Sequence, residues 1–325
     1  MTELPLYQLV EATIAAPSVH NVQPARWRIA GDALLLFEDM SRRLAVGDPT
    51  GNDAAISLGA AAEGLRLAAS RGGLTAIESR SALPAATDAL RPVARFRFEP
   101  EAAIDPLAEW LDQRASWRGS FLPPTEADRT AAAALEADDA RVVVEPAALA
   151  ALANDFDRAS YGFTRRRDFR GELRSWMRLG RSHPLWSNDG LNAEAMALSR
   201  VEAVGAGLVL GPLFGLLEKL GLARILLAEG SKVERGVAVI LFHRPADEGP
   251  YESGRHFHRL WLAIERAGFG AAVLAALADD REAAGEISAT HNIPSGHRLV
   301  SAFRIGRRSG PGYPRARLPL SSVLV

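Results

Sequence analysis

The 325-residue sequence contains no cysteine. This absence excludes disulfides, thiol nucleophiles, iron–sulfur clusters and thiolate metal sites. The histidines are scattered, and His256 and His258 stand two positions apart on a predicted helix, where they point to different faces. No serine nucleophile elbow, phosphate-binding P-loop or zinc protease motif is present. We therefore expect no metal site and no catalytic side-chain nucleophile.

Lysine is also scarce, because Lys219 and Lys232 are the only two and arginine supplies the other cations. A cationic ligand contact is therefore expected to be a guanidinium. The formal net charge is −1, which is not the basic excess that nucleic acid or an anionic membrane surface generally requires. With 48% hydrophobic residues, the composition is that of an ordinary soluble globular chain.

Long hydrophobic runs are missing as well. The apolar stretch from Val204 to Leu217 is about 14 residues, short of the roughly 20 that span a bilayer, and Gly211-Pro212 interrupts it. Residues 1–14 lack the basic start and apolar core of a secretory signal. The sequence predicts no membrane partner and a cytoplasmic location.

Two parts of the chain repeat each other. Apolar spacing predicts helices over Ser57–Arg71 and Gly254–Ala267, each closed by glycine. At an offset of 195 residues the two match at several positions, including Gly59 with Gly254, Leu65 with Leu260 and Arg71 with Arg266. A similar strand follows each helix, Val93–Phe98 and Val300–Ile305. Duplication is favoured over a chance match of two amphipathic helices, and duplicated units commonly pair about a pseudo-two-fold axis.

The rest of the chain adds elements to these repeats. A helix is predicted over Leu4–Ala16, followed by a hairpin of Trp27–Ile29 with Leu34–Glu38, and a later strand over Val237–Phe242. Between the repeats, patterns predict helices, one short strand and an apolar helix pair, over Ala102–Gln113, Thr125–Ala137, Arg141–Val144, Leu149–Leu179 and Leu208–Leu227. We divide the chain into an N-terminal half, 1–100, and a C-terminal half, 101–325, with a helical or lid-forming insert at about 150–230.

Three local clusters could bind a ligand: residues 16–24, residues 114–118 and residues 313–320. In the second cluster Arg114, Ser116 and Arg118 alternate, which places a hydroxyl between two guanidiniums on one side of an extended segment. Arginine offers forked, charge-assisted donors that suit a phosphate. Arg315 and Arg317 repeat the alternate spacing. A solvated basic surface is the other interpretation of both pairs.

These clusters, in this order, resemble the nitroreductase family, and above all its long duplicated single-chain branch of Acg-type flavin mononucleotide (FMN)-binding proteins from mycobacteria. The resemblance covers nearly the whole chain. It also includes Asp48-Pro49-Thr50-Gly51, Asp189-Gly190-Leu191 and the terminal Arg-x-Arg-x-Pro-Leu. It implies an α+β nitroreductase fold in which two fused half-units form a pseudo-dimer, so that a monomer or a weak homo-oligomer is expected.

The resemblance also implies site roles. Arg114, Ser116 and Arg118 would hold the phosphate-ribityl end and pyrimidine edge of FMN, and Arg317, helped by Arg315, would take the phosphate. Pro17, Ser18, Asn21 and Gln23 lie in a loop that would come from the other half-unit. Backbone at Ala272, Val273 and Leu274 would lie near the flavin N5.

The implied function is an oxidoreductase that passes reducing equivalents from NAD(P)H through FMN to a small organic acceptor of nitro, quinone or enone type. A protein that binds or sequesters flavin without turnover is the alternative, and one that has lost flavin is a third. Gly205-Ala206-Gly207 is a weak match to a dinucleotide-binding loop, since its third glycine is displaced and no strand clearly precedes it.

Overall fold

A computed structural model describes residues 6–101 and 103–325. The described chain mixes helices and strands, as predicted. The helices are α1 Leu6–Thr13, α2 Asn52–Arg71, α3 Glu126–Ala133, α4 Pro146–Thr164, α5 Arg167–Trp176, α6 Arg200–Val209, α7 Phe214–Lys219, α8 Leu222–Leu227, α9 Gly230–Glu234, α10 Pro250–Arg266, α11 Ala276–Asp279, α12 Arg281–Thr290 and α13 Leu320–Val323. The strands are β1 Ala25–Ala30, β2 Ala33–Asp39, β3 Leu74–Ser79, β4 Leu90–Pro100, β5 Ala140–Val143, β6 Met177–Arg178, β7 Leu191–Asn192, β8 Ala238–Pro245, β9 Gly270–Val273 and β10 His297–Gly306.

Two antiparallel four-stranded sheets have the same topology. The first has the order β1-β2-β4-β3, and the second has the order β5-β8-β10-β9. One long helix connects the second and third strands of each sheet in chain order: α2 joins β2 to β3, and α10 joins β8 to β9. The predicted repeat of helix and strand therefore extends to whole sheets.

The two repeat helices cross at glycines. A Cβ on Gly59 would lie 1.9 Å from the carbonyl oxygen of Tyr251, and a Cβ on Gly254 would lie 2.1 Å from that of Ile56. Ile56 and Tyr251 are separated by the same 195 residues as the two glycines. The two close approaches are therefore reciprocal, as contacts across a two-fold axis are.

The core follows from the faces of these helices. Leu58 and Leu65 of α2 pack with Trp27 and Phe96 of the first sheet. On the other side, α10 packs its aromatic and aliphatic side chains on the second sheet, around Phe303. A further cluster, built from α4, α9, α11 and α12, covers the opposite face of the second sheet.

The predicted hairpin and the strands of the two repeats are confirmed, although several boundaries differ. Helix α2 begins five residues before the predicted Ser57, because Gly51 adopts φ +75° and the Asp48 carboxylate accepts a 2.9 Å hydrogen bond from the Ala54 N–H. Helix α10 begins at Pro250, whose fixed φ suits the first turn.

The predicted helix over Ala102–Gln113 is wrong for the residues described there, since only a 3-10 turn at Ala108–Trp110 forms and Ala102 lies outside them. Asp105 precedes Pro106, which disfavours helical backbone, and its carboxylate instead accepts from the Leu107 N–H. Leu4 likewise lies outside the described residues, and α1 ends at Thr13 rather than at Ala16.

Two segments bring distant parts of the chain to one place. The insert contributes the loop Ser187–Gly190, which lies between β6 and β7. The C-terminal tail returns to the first sheet, where the Val325 N–H donates to the Trp27 oxygen at 2.8 Å. Among the described helices, none combines the length and the apolar character that crossing a membrane requires.

Candidate functional site

The loop between α1 and β1 has an unusual backbone. His20, Asn21 and Gln23 have φ values of 44°, 56° and 52°. Positive φ is uncommon outside glycine, and a cluster of it stores strain that surrounding contacts must hold. One such contact lies inside the loop, where the Gln23 N–H donates to Ser18 Oγ at 3.0 Å.

Residues 187–190 of the insert hold this loop through hydrogen bonds, and we call this set of contacts the clamp. Asn21 and Gly190 form two hydrogen bonds. The Gly190 N–H donates to the backbone oxygen of Asn21 at 3.3 Å, and Asn21 Nδ2 donates to the backbone oxygen of Gly190 at 3.2 Å. Gln23 Nε2 donates to the Asn188 oxygen at 2.9 Å. The strained loop thus depends on residues more than 160 positions away.

Asp189 fixes the clamp. Its side chain is 2% exposed. Its Oδ1 accepts from Arg178 Nε at 3.0 Å and Nη2 at 2.9 Å, and its Oδ2 accepts from Arg42 Nη2 at 2.9 Å. Arg42 also donates to the Val22 oxygen at 3.0 Å. A buried carboxylate held by two guanidiniums therefore joins the insert to the N-terminal loop.

The tail enters beside the same loop. Arg317 Nη1 donates to Asn21 Oδ1 at 2.7 Å, and the Arg317 N–H donates to the Ser187 oxygen at 3.0 Å. The next residue is held too, since the Leu318 N–H donates to Gln23 Oε1 at 3.0 Å. Burial, and secondarily the charge of Arg315, lowers the pKa of Arg317 to about 10.

Arg114 reaches the same point from the middle of the chain. Its side chain is 1% exposed and its guanidinium lies over the ring of Trp261, 4.5 Å from the centroid. Its Nη2 donates to the Ala15 oxygen at 2.6 Å, and Arg317 Nη2 approaches the same oxygen at 3.5 Å. The Nε atoms of both arginines are buried without a hydrogen-bond partner. Burial, and next the charge of Arg317, lowers the pKa of Arg114.

Ser116 and Arg118 lie along the edge of the second sheet. Ser116 forms a parallel bridge with Ala271 of β9, and the Trp117 N–H donates to the Ala271 oxygen at 2.7 Å. Within the described residues, Arg118 makes no hydrogen bond or ion pair. Burial lowers the pKa of Arg118, and the charge of Glu229 partly offsets that effect.

His20 lies on the loop facing Arg118. Burial, and next the positive charge of Arg118, lowers the pKa of His20 to about 4, so its ring is neutral at pH 7. Its Nδ1 is buried and has no hydrogen-bond partner. A half-buried guanidinium without an ion pair and an unpaired imidazole nitrogen suit a polar ligand that accepts and donates hydrogen bonds.

The predicted backbone segment at Ala272–Leu274 contains the last two residues of β9 and the residue that follows it. The Leu274 N–H donates to the Ala302 oxygen at 2.7 Å, so it is already satisfied. Because antiparallel pairs alternate, this bond turns the Val273 N–H toward the other edge, where Trp117 meets Ala271. Of the three residues, Val273 therefore has the backbone N–H best placed toward residues 116–118.

Two predicted residues lie apart from the guanidinium pair. Arg315 is exposed and donates to the Asp112 oxygen. Pro17 lines a small cavity of about 30 Å³ with Ser18, Trp27 and Ser57, and this volume holds roughly one water. The other predicted residues of the loop, Asn21 and Gln23, lie against Arg317 and the tail.

Comparison with known proteins gives distant matches only. No family model matches the chain, and no curated protein matches it. Three similar solved structures are the FMN and NADPH-dependent nitroreductase NfnB derived from sphigopyxis sp. strain HMH and two single-residue mutants of it, at 16–18% identity and TM-scores of 0.32–0.35. Each match covers 67% of this chain and 97% of that chain. Likeness at this level assigns neither fold nor activity.

Sequence reasoning named the loop but missed His20 within it, and it missed Arg42 and Arg178 around Asp189. The position of His20 inside the proline–serine–x–x–asparagine pattern was an available signal. For Arg42 no local signal exists, since it is 147 residues from Asp189. Within the described residues, no group of three or more His, Asp or Glu side chains could hold a metal ion.

Proposed function

We propose that the chain is an FMN-binding oxidoreductase of the nitroreductase type. It passes reducing equivalents from NAD(P)H through FMN to a small organic acceptor of nitro, quinone or enone type. The observation that carries this proposal is that three distant segments meet. Arg114 and Arg317 both approach the Ala15 carbonyl oxygen, and Arg317 donates a short hydrogen bond to Asn21. A solvated basic surface would leave these guanidiniums exposed and apart.

The donors suit a phosphate. Arg114 is buried and Arg317 is half-buried, and no carboxylate forms an ion pair with either among the described residues. Burial, and next the charge of Arg317, lowers the pKa of Arg114. A dianionic phosphate would offset both charges and supply acceptors for the two unpaired Nε atoms. Asn21, which already accepts from Arg317, would keep the guanidinium oriented toward that group.

The arrangement of the halves supports an internal pseudo-dimer. Both sheets have one strand order, and the crossing of α2 and α10 is reciprocal at Gly59 and Gly254. The loop of residues 16–24 leads into the first sheet, whereas residues 114–118 run along the second. A site assembled from both halves would replace a second subunit, so the functional form is a monomer with one site per chain.

Arg118 and His20 would hold the pyrimidine edge. When bound, FMN supplies hydride and single-electron transfer at its isoalloxazine ring. The Arg118 guanidinium would donate to the pyrimidine oxygens and stabilise negative charge at that edge. His20, neutral at pH 7, would add a hydrogen bond through Nδ1, and the strained loop would hold that atom in place.

Flavin storage without turnover is a second candidate. It is favoured by the contacts around the loop, since hydrogen bonds from Asn21 and Gln23 to Gly190 and Asn188 hold the insert against it. In that case an acceptor could not reach the flavin while the insert stays closed.

The visible spectrum of the purified protein separates these functions. An oxidoreductase would be yellow with an absorbance band near 450 nm, roughly the position of protein-bound flavins generally, and NADPH would bleach it under anaerobic conditions. Yellow protein that dithionite bleaches and NADPH does not would support storage. Colourless protein that fails to take up added FMN would contradict both.

A further inference from the structure

Helices α6, α7 and α8 expose an apolar surface, which we call the apolar patch. It consists of nine large side chains that are 40–82% exposed: Val201, Val204, Leu208, Leu213, Leu216, Leu220, Leu222, Ile225 and Leu226. In each helix or its cap, successive members of this set are three or four residues apart, except for the adjacent Ile225 and Leu226, so they form one stripe per helix. Scattered single exposures need no explanation, but a contiguous group of this size marks an interaction surface.

The burial pattern of these helices is inverted. The residues that they bury are Ala203, Phe214 and Ala223, two of which are alanines. Most of the leucine, isoleucine and valine side chains therefore face outward, although burying them against the protein would stabilise the fold. The sequence of this segment is adapted to a covering partner rather than to the core.

A basic rim borders the patch. Residues 165–181 contain seven arginines and two acidic residues. Helix α5, within this segment, packs beside α7: Arg170 lies 3.7 Å above the ring of Phe214, and Arg165 approaches Glu218 at 3.8 Å. Five cations at the patch and its rim are exposed and form no ion pair within the described residues: Arg167, Arg174, Arg200, Lys219 and Arg224. Lys219 is one of only two lysines in the chain.

We propose that the apolar patch docks on an anionic lipid surface. The stripes would enter the boundary between headgroups and acyl chains, and the five unpaired cations would contact the headgroups. No described helix could cross a bilayer, so the segment would lie on the membrane. The net charge of −1, which led us to expect no such surface, hides this local excess of positive charge.

A second copy of the chain fits the patch less well. In a two-fold dimer the same surface meets itself, so the unpaired cations of both copies would be brought to one interface. Like charges placed across an interface oppose association, whereas anionic headgroups would neutralise them. The charge around the patch therefore favours lipid as the occupant.

Vesicle sedimentation tests the proposal. The full chain would be mixed with vesicles of phosphatidylcholine alone or of phosphatidylcholine with phosphatidylserine, at low and high salt. The test variant carries Val204→Ser, Leu220→Ser and Ile225→Ser, one change per helix. The control carries Ile77→Ser and Ile104→Ser, which remove side chains that are 46% and 58% exposed far from the patch in sequence. A charge variant carries Arg167→Gln and Arg174→Gln.

We expect the wild type and the control to bind the phosphatidylserine vesicles, and salt to weaken this binding. The patch variant should bind at least about tenfold less, and the charge variant should lose the preference for anionic vesicles. Circular dichroism melts would show that each variant folds. Equal binding to both vesicle types, no binding, or an unaffected patch variant would overturn the proposal. The proposal would also be overturned if the wild type formed a dimer that did not bind vesicles and the patch variant were monomeric. A second copy would then be the occupant.

Discussion

Arg317 and Asn21 lie 296 positions apart, and Arg317 Nη1 donates a 2.7 Å hydrogen bond to Asn21 Oδ1. This bond joins the C-terminal tail to a loop with three left-handed residues. Arg114 reaches the same place through the Ala15 carbonyl. The candidate site therefore depends on the whole chain being folded.

The crossing of α2 and α10 should not tolerate a side chain at Gly59. Gly59→Ala would place a Cβ 1.9 Å from the Tyr251 oxygen, so we expect the free energy of unfolding to fall by roughly 1–3 kcal/mol or more. Gly254→Ala should behave in the same way. The control is Gly162→Ala in α4, where nothing lies within 4 Å and helix propensity predicts a gain of up to about 1 kcal/mol. Urea unfolding measures all three, and Gly59→Ala as stable as the control would refute a close crossing.

Asp189 should be essential for the clamp. Asp189→Asn removes the charge that pairs with Arg42 and Arg178. Arg42 keeps a 4.0 Å ion pair with Asp39, whereas the deeply buried Arg178 is left without one among the described residues. Breaking a buried pair costs about 3–5 kcal/mol. Asp168→Asn, at an exposed pair with Arg166, should lower the melting temperature much less. Thermal melts of both variants test this difference, and equal shifts would rule out the clamp as described.

Asp53 should make stability depend on pH. Burial, and next the charges of Asp279 and Asp48, raises the pKa of Asp53 from 3.8 to about 8. The folded state therefore holds a proton that the unfolded state releases, so stability falls as pH rises from about 4 to about 8. One linked proton gives a slope of about 1.4 kcal/mol per pH unit.

Asp53→Asn should flatten this slope, and Asp32→Asn, at an exposed position, should leave it unchanged. Urea unfolding at a series of pH values measures the slope for each variant. Identical slopes in the wild type and Asp53→Asn would contradict the prediction.

Arg118 should lower the stability of the flavin-free protein and strengthen FMN binding. It is a half-buried cation without an ion pair within the described residues, so Arg118→Met should raise the stability of the flavin-free protein by about 1 kcal/mol. The same change should weaken FMN binding. Arg129→Met, at an exposed pair with Glu126, should change neither quantity much. A variant that loses stability, or that binds FMN as well as the wild type, would argue that Arg118 is structural.

Local patterns predicted part of this fold well. The hairpin β1–β2, the strands of both repeats and the core of α2 and α10 follow from apolar spacing and glycine stops, which act over a few residues. Boundaries were less accurate where one contact decides them, as the Asp48 carboxylate does at the start of α2. The helix expected near residue 108 failed because Pro106 and the Asp105 side chain compete with helical backbone there.

The candidate site was less predictable from local pattern. Alternate arginines indicated an anion site at residues 114–118 and 315–317, but their meeting with Asn21 was expected from a family resemblance and not from spacing. Arg42 and Asp189 pair across 147 residues, and no short pattern encodes such a contact. The apolar patch was visible as a sequence run, yet its outward orientation depends on tertiary packing.

The most direct test of the central claim compares FMN with riboflavin, which lacks the phosphate, in the wild type and in Arg317→Ala. A fluorescence titration would give both dissociation constants, with exposed Arg167→Ala as the control. The wild type should bind FMN at least about tenfold more tightly than riboflavin, and Arg317→Ala should lose most of this preference while its riboflavin affinity is retained. An Arg317→Ala protein that keeps the full preference for FMN would contradict the assignment of this arginine, and with it the proposed site.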